Sequence, residues 1–234
     1  MSAPRLNIGV IGDHFLADSL ESTGHTVTRN ADPAEISLYD LVVIDFDDHD
    51  SAAALVEKIA DHARHGQMFI HTSLDHGVQV LDPIEVTGAI VLAAHHIGDN
   101  NWITAATDEL GETIIELLVG EFGGTSIPVS DDQRIAIRTA LEYRDLAVEA
   151  ELDARAMLVD TLDRPELADD LIPAPPRPPH TREHLDAQAY DRMHRTIEDS
   201  GRAHIFASLV RRRAELQHDQ DLELWAISQL DYKE

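Results

Sequence analysis

The sequence contains no cysteine. Disulfides, thiolate metal sites and cysteine nucleophiles are excluded together. Lysine is nearly absent: Lys58 and Lys233 are the only two, and the other basic residues are arginines. With 44 acidic and 18 basic residues the formal charge is -26. A surface of that sign repels nucleic acid and anionic membranes, so neither is expected as a partner. No apolar run approaches the roughly 20 residues of a membrane span. Residues 1–5 lead straight into an apolar strand, so no signal peptide is expected and a cytoplasmic location is the default. Hydrophobic residues make up 43% of the chain, enough to bury a large core.

What is present begins with residues 6–28, LNIGVIGDHFLADSLESTGHTVT. An apolar run ends at Gly12. A short amphipathic segment follows, with Phe15, Leu16 and Leu20 as its apolar residues. Gly24 stops it, and residues 25–28 alternate like a second strand. Strand, tight turn, helix, strand is the opening βαβ unit of a dinucleotide-binding fold. Its turn has the form G-x-G-x-x-G/A. Gly12 fills the first position and Ala17 the third, while the middle one is His14, where a Cβ crowds a pyrophosphate. The second strand ends at Arg29-Asn30, where an adenosine ribose sits in such folds. An arginine there suits a 2′-phosphate and tilts the expected cofactor from NAD toward NADP.

Residues 40–46 read as a third strand ending at Asp45-Phe46, closed by Asp47, Asp48 and Asp50. Residues 51–63 read as a helix with Ala54, Leu55, Ile59 and Ala63 on one side. A fourth strand, 67–70, runs into His71-Thr72-Ser73. A fifth, 89–94, ends at His95-His96, and 102–106 reads as a sixth. Residues 108–122 read as a helix with Leu110, Ile114, Leu117 and Leu118 inward. Gly123-Gly124 breaks it before a last strand at 125–129. Strands alternating with helices predict a mostly parallel sheet covered on both faces. Ser130-x-x-Gln133 is a capping box that opens a long helix, with Ile137, Leu141, Val148, Leu152 and Val159 at helical spacing. Residues 163–179 are proline-rich and read as a stiff extended connection. Residues 181–199 and 202–229 read as helices, the second interrupted near Asp219. The expected fold is α/β, with a Rossmann-like dinucleotide-binding domain at 1–130 and a helical dimerisation or substrate domain at 131–234.

These motifs, in this order, resemble the 6-phosphogluconate dehydrogenase-like superfamily. The likeness is greatest to its Rossmann-like dehydrogenase branch, related to ketopantoate reductase and prephenate dehydrogenase. It is carried by Ile8-Gly9-Val10-Ile11-Gly12 and by Leu20-x-x-x-Gly24-His25-x-Val27. Phe69-Ile70-His71-Thr72-Ser73 and Gly88-Ala89 leading to His95 extend it. Gly123-Gly124 before the long helix and Thr181-Arg182-Glu183-His184-Leu185 complete it. The resemblance implies an NAD(P)-dependent oxidoreductase for a small hydroxy or oxo acid, working as a homodimer. Ile205, Leu209, Leu216, Trp225 and Ile227 offer an apolar surface for that pairing, or form the domain's own core. His95 is similar to the strand-end histidine that contacts the substrate hydroxyl in relatives. Thr72 and Ser73 are similar to a strand-end motif that binds substrate carboxylates. Relatives with a catalytic lysine on the long helix find none here. Arg134 and Arg138 are the nearest cations, and Arg138 is assigned to catalysis with His95. Arg177 and His184 resemble a segment that approaches the cleft from the helical domain.

In an open α/β sheet, ligands bind outside the carboxyl ends of the strands. Cofactor contacts are therefore expected from Gly12, Asp13, His14, Ala17, Arg29, Asn30, Asp45 and Phe46. Substrate contacts are expected from His71, Thr72, Ser73 and His96. A histidine with a pKa near neutrality suits the proton transfer that accompanies hydride transfer. A rival reading gathers His71, His76, His95 and His96 with Asp45 or Asp47 around a metal. No H-x-H or H-E-x-x-H spacing supports it, and no metal is expected. The departures at His14 and at 45–48 support a different alternative. In it, the chain is a degenerate Rossmann-like protein without dehydrogenase activity, serving as a small-ligand or protein-interaction module.

Overall fold

The computed structural model describes residues 5–12, 15–45, 49–162, 166–175 and 185–231. They fall into two compact units, 1–134 and 135–234. The first unit carries seven strands: β1 Asn7–Ile11, β2 Thr26–Arg29, β3 Leu41–Ile44, β4 Met68–His71, β5 Ile90–Gly98, β6 Asn101–Ala106 and β7 Thr125–Pro128. They form one sheet in the order β2-β1-β3-β4-β5-β6-β7. Every pairing is parallel except β5 with β6. That exception follows from the connection. Asp99 and Asn100 both take positive φ, 46° and 64°, the backbone of a tight two-residue hairpin. Two residues cannot make a parallel crossover.

Side chains alternate across β3 and build two cores. Val42 and Ile44 join Phe69, Val91 and Ala93 on one face. Helix α2, His49–Ala60, covers that face with Ala52, Val56 and Ile59. Leu41 and Val43 join Ile8, Val10, Ile70, Leu92 and Trp102 on the other. There α1, Leu16–Ser22, contributes Leu16, Ala17 and Leu20, and α4, Glu109–Glu121, contributes Ile115, Leu118 and Val119. A sheet buried on both faces explains why its parallel strands read as unbroken apolar runs.

Leu55, Ile59 and Ala63 pack against the core as expected, whereas Ala54 and the phase of α4 differ. Ala54 of α2 is exposed, and Leu55, Val56 and Ile59 face inward with Ala52. In α4, Leu110 and Leu117 are exposed and the buried set lies one residue later. The cause is Gly111. A Cβ there would lie 2.8 Å from the Ala106 side chain, so the helix rests on β6 at this glycine and its phase is set by that contact. Short elements that carry no long periodicity join the strands: 3₁₀ turns at Pro33–Leu38 and Val78–Leu81, and α3 at Asp82–Glu85.

α5, Asp131–Thr161, starts at the expected capping box. The Ser130 N–H donates to Gln133 Oε1 at 2.9 Å and the Gln133 N–H donates to Ser130 Oγ at 3.4 Å. Its buried positions are largely polar: Arg134, Thr139, Glu142 and Asp145 beside Leu146, whereas Leu152 is exposed. A short helix, α6 Glu166–Leu171, stands where an extended connection was expected. Residues 166–172 carry no proline, which leaves room for two turns.

In the second unit α7 is Ala187–Arg195, α8 is Ser200–Gln217 and α9 is Gln220–Asp231. Each begins on an aspartate whose carboxylate accepts a backbone N–H of the first turn: Asp186, Asp199 and Asp219. The expected interruption near Asp219 is the left-handed His218, φ 59°. Leu146, Tyr190, Met193, Phe206, Val210, Ala214, Leu222 and Ala226 form this unit's core. Of the apolar positions considered for self-association, Ile205 and Leu216 are exposed, while Leu209 and Trp225 pack partly against that core. Among the described residues, no helix is long and apolar enough to cross a membrane.

Candidate functional site

The strand order reverses between β1 and β3, because the chain leaves β1 for β2 on one side and returns to β3 on the other. The crevice outside the carboxyl ends at such a point is where ligands bind in this architecture. Gly12 sits there with φ +88°, and a Cβ on it would lie 2.8 Å from Asp45 Cβ and 2.9 Å from Asp45 O. The Asp45 N–H donates to Ile11 O at 2.9 Å, which draws the end of β3 onto the glycine turn. Ala17 is buried on the core face of α1. Asp13, His14 and Phe46 lie outside the described residues, as do Asp47, Asp48, Arg177 and His184.

At the end of β2, Asn30 takes φ 55°. The Arg29 Nη2 donates to Asp18 Oδ1 at 2.5 Å and to Glu21 Oε2 at 2.8 Å. These hydrogen bonds hold the guanidinium pKa above its ordinary value. Arg29 therefore brings two carboxylates with it, and the trio has a net negative charge.

The ends of β3 and β4 are tied to β5, which does not end at His95-His96 as expected but runs on to Gly98 paired with β6. The Thr72 hydroxyl donates to Asp45 Oδ1, and the Thr72 N–H donates to Ile44 O at 3.2 Å. His95 Nδ1 lies 2.7 Å from Thr72 O. A carbonyl only accepts, so Nδ1 carries the proton of the neutral ring and Nε2 is its basic nitrogen. His96 turns to the opposite side of the strand, as alternation requires. Its ring lies 4.8 Å from Phe15 and 5.2 Å from Trp102 in an aromatic cluster. His95 and His96 are thus separated, although adjacent in sequence.

Beyond β4, Ser73 Oγ is 3.0 Å from His76 Nδ1 and accepts the Asp75 N–H at 3.2 Å. His71 is fully buried. Burial, with Arg134, His76 and His95 beside it, pulls its pKa down to about 3, against the pull of a hydrogen bond with the Gly77 backbone. It is neutral at physiological pH. Among the described residues, no three histidines or carboxylates come together as a metal-binding group.

The first turn of α5 brings Arg134 to this loop. Its side chain is 2% exposed, and Nη1 donates to Ser73 O at 3.4 Å. Nε and Nη2 are buried and meet no hydrogen-bond acceptor among the described residues. Desolvation lowers the guanidinium pKa, while the charges of Asp131 and Asp75 act in the opposite sense. Arg138, the arginine assigned to catalysis from sequence, is in the second unit and pairs with Glu142 at 3.6 Å. Glu142 also accepts from the Tyr190 hydroxyl at 3.0 Å and from Arg213.

Two family descriptions match. Residues 25–96 match the Rossmann-like domain, and residues 130–229 match the 6-phosphogluconate dehydrogenase C-terminal domain-like family. The first match lies within the sheet-bearing region, and the second covers the helical region from α5 to α9. Solved structures of the same architecture include 3-hydroxyisobutyrate dehydrogenase of Mycobacterium tuberculosis with L-serine. It is 13% identical with a TM-score of 0.58, over 96% of this chain and 99% of that one. Prephenate dehydrogenase of A. aeolicus, in complex with hydroxyphenyl propionate and NAD+, is 12% identical with a TM-score of 0.59, over 98% and 97%. Pyrroline carboxylate reductase of Plasmodium falciparum with NADP bound is 12% identical with a TM-score of 0.50, over 96% and 97%. At these identities the likeness is one of fold. By sequence, no curated protein matches.

Proposed function

We propose that this protein is an NAD(P)-dependent oxidoreductase for a small hydroxy or oxo acid, with His95 as its acid/base group. The observation that carries the reading is the 2.7 Å contact from His95 Nδ1 to the Thr72 carbonyl, which sets Nε2 as the basic nitrogen at the strand-end rim. Support comes from structures of this fold that hold NAD+ and NADP.

The nicotinamide cofactor supplies the hydride acceptor or donor. The turn at Gly12, with Ala17 behind it, is where a pyrophosphate would approach, and Asp45, packed against that turn, opposes the approach with its negative charge. Arg29 and Asn30 stand where the adenosine ribose would lie. In oxidation, the carbinol carbon loses hydride to the cofactor and the hydroxyl loses its proton to His95 Nε2. In reduction, the His95 imidazolium returns that proton to the carbonyl oxygen. Thr72 holds His95 through its carbonyl and Asp45 through its hydroxyl, so it positions both. NADP use rests on Arg29, which must exchange Asp18 and Glu21 for a 2′-phosphate. That exchange is unfavourable and narrows the preference for NADP over NAD.

The test is His95→Asn, whose amide keeps a donor toward Thr72 O but provides no base. Turnover of hydroxy acids should fall by about 10²- to 10⁴-fold while cofactor affinity stays constant. An unchanged kcat would remove His95 from the chemistry.

A further inference from the structure

Arg134 is a described cation that is almost wholly buried beside the strand-end rim, with donors that meet no acceptor among the described residues. Leaving a guanidinium in such a place is costly unless an anion meets it. Asp131 and Asp75 offset its charge from a distance, but neither accepts a hydrogen bond from it. Among the described residues its one hydrogen bond, Nη1 to Ser73 O, is long at 3.4 Å. The two unused nitrogens, Nε and Nη2, form the side-on edge of the guanidinium. Their N–H bonds run parallel, and this edge takes both oxygens of one carboxylate. Ser73, whose carbonyl touches Arg134, directly follows Thr72, whose carbonyl touches His95. An anion-binding fork and an acid/base imidazole are thus anchored to consecutive peptide units. Neighbouring His71 is neutral, so it neither repels the guanidinium nor competes for the anion.

We infer that Arg134 binds the substrate's carboxylate through its Nε–Nη2 edge, while the Ser73 carbonyl holds the opposite corner of the guanidinium. The inference rests on the oxidoreductase reading above. It specifies the substrate as one that carries a carboxylate beside its reacting hydroxyl or carbonyl group. It also assigns the carboxylate to Arg134 and not to Arg138, whose charge is matched by Glu142.

Calorimetric titration of the full chain tests this. The probes are oxalate, 3-hydroxypropanoate and propane-1,3-diol, with and without NAD+, and then NADH alone. Wild type should bind the two acids and ignore the diol, which lacks a carboxylate. Arg134→Met should weaken both acids about 100-fold and Arg134→Lys about tenfold, with NADH affinity unchanged. Acid binding that is equal in wild type and a folded Arg134→Met overturns the inference, as does a wild type that binds neither acid at millimolar concentration. Weakened NADH binding in Arg134→Met with acid binding intact assigns the arginine to a cofactor phosphate and also overturns it. Should Arg134→Met fail to fold, the Arg134 Nε–H resonance of wild type, assigned with Arg134→Lys, must shift on saturation with oxalate. An unmoved resonance overturns the proposal. If NADH fails to bind while the acids still depend on Arg134, the oxidoreductase reading fails and the carboxylate site stands.

Discussion

At Gly12 two demands fall on one carbon that glycine lacks. The backbone is left-handed, φ +88°, and the space for a Cβ is filled by Asp45. Gly12→Ala should therefore cost about 1–3 kcal/mol of stability, measured by urea denaturation, and should displace the end of β3. An alanine variant as stable as wild type would mean that the turn is looser than described. His71 makes a second residue-scale prediction. Its folded pKa is about 3, against roughly 6.5 in an unfolded chain. Between those values the unfolded chain binds a proton that the folded chain does not. Stability contributed by neutral His71 is thus complete above about pH 6.5 and lost as pH falls toward 3, by up to ~1.4 kcal/mol per pH unit. His71→Asn should flatten the acid limb of a stability-against-pH curve, and an unaltered limb would contradict the assignment. The histidines show how far single residues are legible in the sequence. The place of His95 is legible because an apolar run leads into it, although β5 continues through it to Gly98. Arg134 is not separable from Arg138 on sequence, because they lie one turn apart on the same helix face. What separates them is the carbonyl of Ser73, a residue 61 positions away in the chain.

Among the elements, α5 depends on its reciprocal cap. Ser130 and Gln133 satisfy each other's backbone N–H groups at the start of this helix, one residue before it carries Arg134 toward the Ser73 loop. Ser130→Ala should cost about 1 kcal/mol by chemical denaturation. No change would show that the helix start is held by packing alone. The strands are legible because a sheet buried on both faces demands apolar runs, and β3 is buried at all four of its positions. The helix faces are less so. Leu110 and Leu117 are large apolar residues that a moment-based reading turns inward, yet the seat of Gly111 on Ala106 turns them outward. The buried side of α5 is polar because Arg213 and Tyr190 meet Glu142, a pairing that no local pattern announces.

For the whole molecule, the charge of -26 sets a strong negative field, and the anionic cofactor and substrate proposed must bind against it. The arrangement of the site answers part of that opposition. His71 is held neutral and Arg134 is held as a buried cation beside the strand ends, where low dielectric strengthens its pull on an anion. Composition makes the field legible, but not the placement of one arginine against it. The measurement that tests the central claim most directly is calorimetric titration of the full chain with NADH and, separately, NADPH. The account predicts micromolar binding, about -8 kcal/mol, to at least one of them, with no large advantage for NADPH because Arg29 is held by Asp18 and Glu21. No heat and no thermal stabilisation at millimolar concentrations of either nucleotide would contradict it.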